Sequence, residues 1–304
     1  MISTDMLVHA SKTSVAKDES ADHYLRRLTH LTLTNKKLTG IANLELCRNL
    51  KVLYLYGNRI QTIENLAFAS QLTQLHLQDN RITRMEGLDA LVNLEKLCLE
   101  GNQICRLEGL EHCSKLTELH LANQNVSTTG FALDDAASLA TLSRCLRVLN
   151  LANCNVQRAA PLVALGRLEQ LNLARNAISD MEDVFALVGG LRCLRDLNLT
   201  NNHVNATPKY RENTIIFSGA HLQVLDTKDI DAKQRAMMQS HLAFKHKKRM
   251  ERGKGPIDPE VTMSLKPTVS IPMSKRLGGS GFDVLGSAIS RPRSNNHDDH
   301  DDGL

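Results

Sequence analysis

No tryptophan occurs in the 304 residues, and aromatic side chains make up only 3% of them, as four tyrosines and six phenylalanines. The interior must therefore be built from aliphatic side chains. No run of about 18 apolar residues occurs, so no segment is expected to span a membrane. The opening "MISTDMLVHASKTSVAKDES" has no continuous apolar segment ahead of a small-residue cleavage site, and no secretory leader is expected. The seven cysteines are Cys47, Cys98, Cys105, Cys113, Cys145, Cys154 and Cys193. They form no CxxC pair and are odd in number, which fits reduced thiols in a cytosolic protein better than a disulfide frame. Also missing are a glycine-rich phosphate loop, a nucleophile motif and paired carboxylates in an evident pocket. "GGSGF" at Gly278–Phe282 has neither a strand before it nor a helix after it. The chain reads as a non-enzyme that calls for no cofactor.

Net charge is nearly absent from most of the chain as well. From Lys233 onward Lys and Arg outnumber Asp and Glu by 13 to 8, whereas residues 1–232 hold 24 against 25. The basic excess belongs to the tail.

What is abundant is leucine, and it recurs. The frame L-x-x-L-x-L begins at Leu28, Leu50, Leu72, Leu94, Leu116, Leu146, Leu168 and Leu194, and all 24 framework positions are leucine. Position nine is asparagine in five units (Asn58, Asn80, Asn102, Asn176, Asn202), while Cys154, Lys36 and Gln124 depart from it. Position eleven is aliphatic throughout, from Leu38 to Val126 and on to Val204. This is the leucine-rich repeat. Successive starts lie 22, 22, 22, 22, 30, 22 and 26 residues apart. A 22-residue unit leaves too little chain for a full convex helix, so short 3₁₀ or irregular segments are expected there. The 30-residue unit predicts a true helix from about Asp134 to Cys145, and the 26-residue unit a further turn or two. Position-nine asparagines are expected to bond backbone groups of the turns.

The fold expected is an α/β solenoid: a curved array with a concave parallel β-sheet, capped ends, then a basic helix and a disordered tail. Residues 1–27 form the N-terminal cap, with "DESADHYLRRL" helical and Tyr24 and Leu25 against the first repeat. Eight repeats fill 28–205. In the C-terminal cap, 206–230, Thr207 and Pro208 read as a helix start. Tyr210, Ile215, Ile216 and Phe217 are placed to cover the last leucines, and Leu222, Val224 and Leu225 resemble a final partial strand. Residues 231–252 predict a basic helix, apolar at Met237 and Leu242 with Ile230 just before it, and 253–304 read as disordered.

Residues 24–245 resemble the leucine-rich-repeat family of protein phosphatase 1 regulatory subunit 42. The stretches that carry the likeness are "LRRLTHLTLTNKKLTGIANLELCRNLKVLYLYGNRI" and "PKYRENTIIFSGAHLQVLDTKDI". The second also occurs in the leucine-rich subunit of the U2 spliceosomal particle. The resemblance implies a scaffold of the cytoplasm, cytoskeleton, centrosome or basal body. Its implied partners are a phosphatase 1 catalytic subunit and tubulin or a microtubule motor. The linear docking motif of many phosphatase-1 regulators, basic–x–Val/Ile–x–Phe/Trp, is not found. "NTIIF" has the spacing at Ile215 and Phe217 but no basic residue directly before it. A phosphatase would have to be held by the concave sheet.

Alternation along each strand assigns that surface. Position five gives Thr32, Tyr54, His76, Cys98, His120, Asn150, Asn172 and Asn198; position seven gives Thr34, Tyr56, Gln78, Glu100, Ala122, Ala152, Ala174 and Thr200. Half the tyrosines of the chain thus stand at one place on this face. Tyr54, Tyr56, His76, Gln78, Glu100 and His120 are the candidate protein-binding residues, although two tyrosines can also serve merely to cover leucines. His76, Cys98 and His120 share a column and raise zinc ligation, yet a solvated face is the preferred reading and no metal is assigned. Lys245, Lys247, Lys248, Arg249 and Arg252 are the candidate basic contact for acidic cytoskeletal surfaces. The alternative is an RNA–protein particle in which the same residues meet RNA phosphates.

Overall fold

The computed structural model describes residues 2–10, 19–125 and 130–252. The chain divides into Met1–Lys266 and Pro267–Leu304, and only the first unit contains described residues. Val126 and the expected disordered tail, 253–304, lie outside the described residues.

Each repeat turns positions three to five of its frame into a three-residue strand. These are β1 (His30–Thr32), β2 (Val52–Tyr54), β3 (Gln74–His76), β4 (Lys96–Cys98), β5 (Glu118–His120), β6 (Val148–Asn150), β7 (Gln170–Asn172) and β8 (Asp196–Asn198). β9 (Val224–Leu225) extends the sheet in parallel, and β10 (Lys228–Asp229) folds back antiparallel on β9. The ten strands lie in chain order in one open sheet. Leu31, Leu53, Leu75, Leu97, Leu119, Leu149, Leu171 and Leu197 pair in unbroken register. All 24 framework leucines are at most 3% exposed. Burying each is worth roughly 1.5–3 kcal/mol, and the register makes that burial continuous from one repeat to the next.

The turns after the strands are tied from inside. Asn102 Oδ1 accepts from the Ile82 amide at 3.0 Å, while its Nδ2 donates to the Leu77 and Leu99 carbonyls at 3.0 and 2.9 Å. Gln124 departs from the pattern only in name. Its Oε1 accepts from Ile104 N at 2.9 Å and its Nε2 donates to the Leu99 and Leu121 carbonyls, so a longer amide does the same work. Cys154 keeps one part of it, Sγ to the Leu121 carbonyl at 2.9 Å. Lys36 is exposed, and its amide is taken up by Asn58 Oδ1 of the next repeat.

The convex side follows unit length. In the short units single turns close by i to i+3 bonds, such as Cys47 N to Leu44 O at 2.8 Å, and the unit from Leu146 carries a 3₁₀ turn at Ala160–Ala164. The 30-residue unit holds α3 (Ala136–Leu142), capped by Asp135 Oδ2 accepting from Ser138 N, and it ends sooner than the expected Cys145. The 26-residue unit holds the ten-residue α4 (Met181–Gly190), longer than the expected turn or two.

At the N-terminal end α1 (Thr4–His9), which the sequence reading did not foresee, and α2 (Ala21–Arg27) bury Leu7, Tyr24 and Leu25. At the other end the expected Thr207–Pro208 helix start is wrong. Thr207 is extended (φ −66°, ψ 132°), as a residue before proline prefers, and closes a 3₁₀ turn at His203–Ala206. Lys209 at φ +60° then redirects the chain into α5 (Tyr210–Phe217). Tyr210, Ile215, Ile216, Leu222 and Leu225 are buried there. α6 (Ala232–Glu251) starts at Asp231, whose Oδ1 accepts from Lys233 N. Met237 is a second correction: it is 69% exposed, and its neighbour Met238 packs on the core instead.

Candidate binding face

The register places the position-five side chains of β2 to β5 side by side: Tyr54 beside His76, His76 beside Cys98, Cys98 beside His120. The Tyr54 and His76 rings stack, with centroids 4.7 Å apart and planes 24° from parallel. Tyr56 stands further out on the same face, 39% exposed. Cys98 is only 3% exposed, and burial, with Glu100 adding to it, pushes its thiol up to about 12. It is covered by its neighbours and presents no thiolate.

Charge organises the next strand. Lys96 Nζ donates to Glu118 Oε2 at 2.6 Å. That bond holds Glu118 below the usual carboxylate range and Lys96 above the usual amine range. His120 lies between two carboxylates, Nε2 at 3.5 Å from Glu118 Oε2 and Nδ1 at 3.9 Å from Glu100 Oε1. The Glu100 contact is too long for a hydrogen bond, and the Glu118 contact is an ion pair of poor hydrogen-bond geometry; His120 Nε2, Glu100 Oε2 and Gln78 Oε1 are buried polar atoms that lack a well-formed hydrogen bond. Burial raises the Glu100 pKa and lowers that of His76, where Lys96 and His120 also oppose an added charge.

The later repeats differ in a way the sequence reading missed. Asn150, Asn172 and Asn198 each accept, through Oδ1, from the position-seven amide of their own repeat at 3.1–3.2 Å. These asparagines are occupied by their own backbone. The signal was legible as asparagine at position five followed by a small residue at seven. The face is thus aromatic and incompletely bonded over β2 to β5, and self-satisfied over β6 to β8.

Of the six residues assigned from the sequence, Tyr54, His76 and His120 end β2, β3 and β5, and Tyr56, Gln78 and Glu100 follow the ends of β2, β3 and β4 by two residues. The zinc grouping does not form. Among the described residues, the only His, Cys, Asp or Glu atoms brought within 4.8 Å of one another in a set of three belong to Asp89, Glu111 and His112, all exposed. Lys245, Lys247, Lys248 and Arg249 are exposed in the last two turns of α6, and Arg252, also exposed, caps its end.

The family model described as leucine rich repeat matches residues 48–104. Among solved structures, an internalin C2 of Listeria monocytogenes is 24% identical, covering 66% of this chain and 83% of its own, with a TM-score of 0.53. A leucine-rich-repeat protein of Leptospira interrogans is 22% identical, covering 73% of this chain and 61% of its own, with a TM-score of 0.54. A chain of the Drosophila melanogaster SNF/U2A′ complex, 24% identical, covers 59% of this chain and 87% of its own at a TM-score of 0.37, too low to carry an argument. At these identities the likeness is one of fold. The chain therefore has the leucine-rich-repeat fold, a curved array with its parallel strands in one open sheet.

Proposed function

We propose that this chain is a non-enzymatic protein-binding scaffold whose contact surface is the sheet face of β2 to β5, with Tyr54, Tyr56, His76, Gln78, Glu100 and His120 at its centre. The observation that carries the reading is the asymmetry of the face. Aromatic rings and unpartnered polar atoms gather on four strands, while the asparagines of the other three are consumed by their own backbone. Tyrosine concentrates at interface hot spots because it offers a large area at little entropic cost.

The partner proposed is a phosphatase 1 catalytic subunit, with tubulin or a microtubule motor reached through the basic end of α6. The setting proposed is the cytoplasm, at the cytoskeleton, centrosome or basal body. Its support is the sequence resemblance. The fold adds one consistent point: Ile215 is fully buried in α5, so "NTIIF" is not free to act as a linear docking motif. A phosphatase would then rest on the sheet.

Tyr54→Ala with Tyr56→Ala tests this. Both side chains stand off the leucine core, so the melting temperature should change little, by less than about 1 kcal/mol in stability. Capture of purified phosphatase 1 catalytic subunit should weaken by about 2 kcal/mol, roughly thirtyfold. Asn172→Ala should weaken it less. Undiminished capture by the double variant would remove the sheet face from the proposal. Capture of RNA instead, lost on charge reversal at Lys247 and Lys248, would favour the ribonucleoprotein alternative.

A further inference from the structure

Along α6 the side chains sort onto two sides. Arg235, Met238, Gln239 and Leu242 are buried or half-buried at i, i+3, i+4 and i+7, and form the side that meets the cap. Arg235 fastens it, donating to Ser218 Oγ at 3.3 Å and to the Leu222 carbonyl. Met237 and Phe244 occupy the opposite side, seven residues and about 10.5 Å apart along the axis. They are 69% and 62% exposed. Only five large hydrophobic side chains among the described residues are exposed, and α6 carries three of them. The third, Met250, points about 120° away from Phe244.

Around these anchors the helix is strongly basic. Residues 232–252 contain seven Lys and Arg against the single acid Glu251. Lys233, Lys245, Lys247, Lys248, Arg249 and Arg252 are all exposed. We propose that the outward side of α6 docks into an apolar, acid-rimmed protein groove of the kind that a calcium-loaded EF-hand lobe opens, with Met237 and Phe244 as its two anchors. A single side of an amphipathic helix laid in a groove is read through anchors at such spacings. The open EF-hand groove is rich in methionine, which adapts to anchors of unlike shape, and carboxylates at its rim complement the lysines.

A membrane surface fits less well. Hydrocarbon requires a continuous apolar stripe, but His241 lies between the two anchors and is exposed, and Lys248 Nζ sits 5.9 Å above the Phe244 ring. Two separate apolar side chains amid cations suit two pockets.

The test is calorimetric titration of the full chain with purified calmodulin as the probe, in calcium and in chelator. Binding should occur in calcium and vanish in chelator. Met237→Ala with Phe244→Ala should weaken it at least tenfold with an unchanged melting temperature, as should Lys247→Glu with Lys248→Glu. Tyr54→Ala with Tyr56→Ala should leave it unaltered, so failure here and failure of the sheet-face reading are distinguishable. No binding in calcium, or binding indifferent to calcium or to the two anchors, overturns the proposal. Two other results overturn it as well: capture by phosphatidylserine vesicles that the anchor variant abolishes, or a concentration-dependent dimer that the same variant abolishes.

Discussion

His76 shows what a single position on the sheet inherits from its neighbours. Alternation in the sequence puts it on the outward face, and that much was legible. Its stacking on Tyr54 and its partial burial depend on side chains contributed 22 residues away on either side, which no local pattern encodes. Cys98 marks the same limit: the sequence raised it as a ligand, and in the structure it is only 3% exposed between the strand positions of His76 and His120. The pH response follows from the surroundings. Burial, then Lys96 and His120, depress the His76 pKa below its usual value near 6.5. The unfolded chain therefore takes up the proton more readily. Stability from this residue is complete above about pH 6.5 and is lost as the pH falls through the lower, folded value. His221, depressed mainly by its own burial, contributes a slope of the same sign. Melting temperatures recorded from pH 7.5 to 5 should fall less steeply in His76→Asn than in the unmodified chain, while His221 keeps part of the slope in both. Parallel curves would show that His76 is not the sensing group.

The repeat as an element was legible in its strand and its interior, because leucine at three fixed places leaves no other pairing. Its turns were not. Position eight is left-handed in every repeat: Asn35, Gly57, Asp79, Gly101, Asn123, Asn153, Arg175 and Asn201 all have φ between 53° and 69°. Seven of the eight are glycine, asparagine or aspartate, the types that tolerate this region, so the signal was present beside the more conspicuous leucines. Gly57 is held further, since a Cβ there would lie 2.1 Å from Asn35 Oδ1. Arg175 breaks the rule at φ 57° with an exposed side chain. A left-handed residue of this kind costs about 1–2 kcal/mol, which asparagine partly avoids. Arg175→Asn should therefore stabilise the protein by up to about 1 kcal/mol, seen as a raised melting temperature with unchanged partner binding. A lowered one would mean that the arginine makes up for its backbone elsewhere.

A solenoid has a core without a natural end, and the whole molecule depends on how each end is closed. The C-terminal closure is built in layers. β9 pairs with β8 and takes its open edge, Asp226 Oδ1 accepts from Leu199 N at 2.7 Å, and α5 buries Tyr210 and Ile215 against the last repeat. α6 adds Arg235 over the Leu222 carbonyl. The order of these layers predicts three different outcomes for three truncations. Ending the chain before Pro208 should expose Leu197, Leu199 and an unpaired strand edge, and give aggregates by size exclusion with light scattering. Ending it after Asp231 should keep β9 and α5 but lose the Arg235 bonds, giving a monomer that melts at a lower temperature. Ending it after Gly253 retains every one of these contacts, so both the monomer and the melting temperature of the full chain should be kept. A monodisperse, fully folded product from the shortest chain would mean that the eighth repeat closes itself and that α5 and β9 serve some purpose other than the cap.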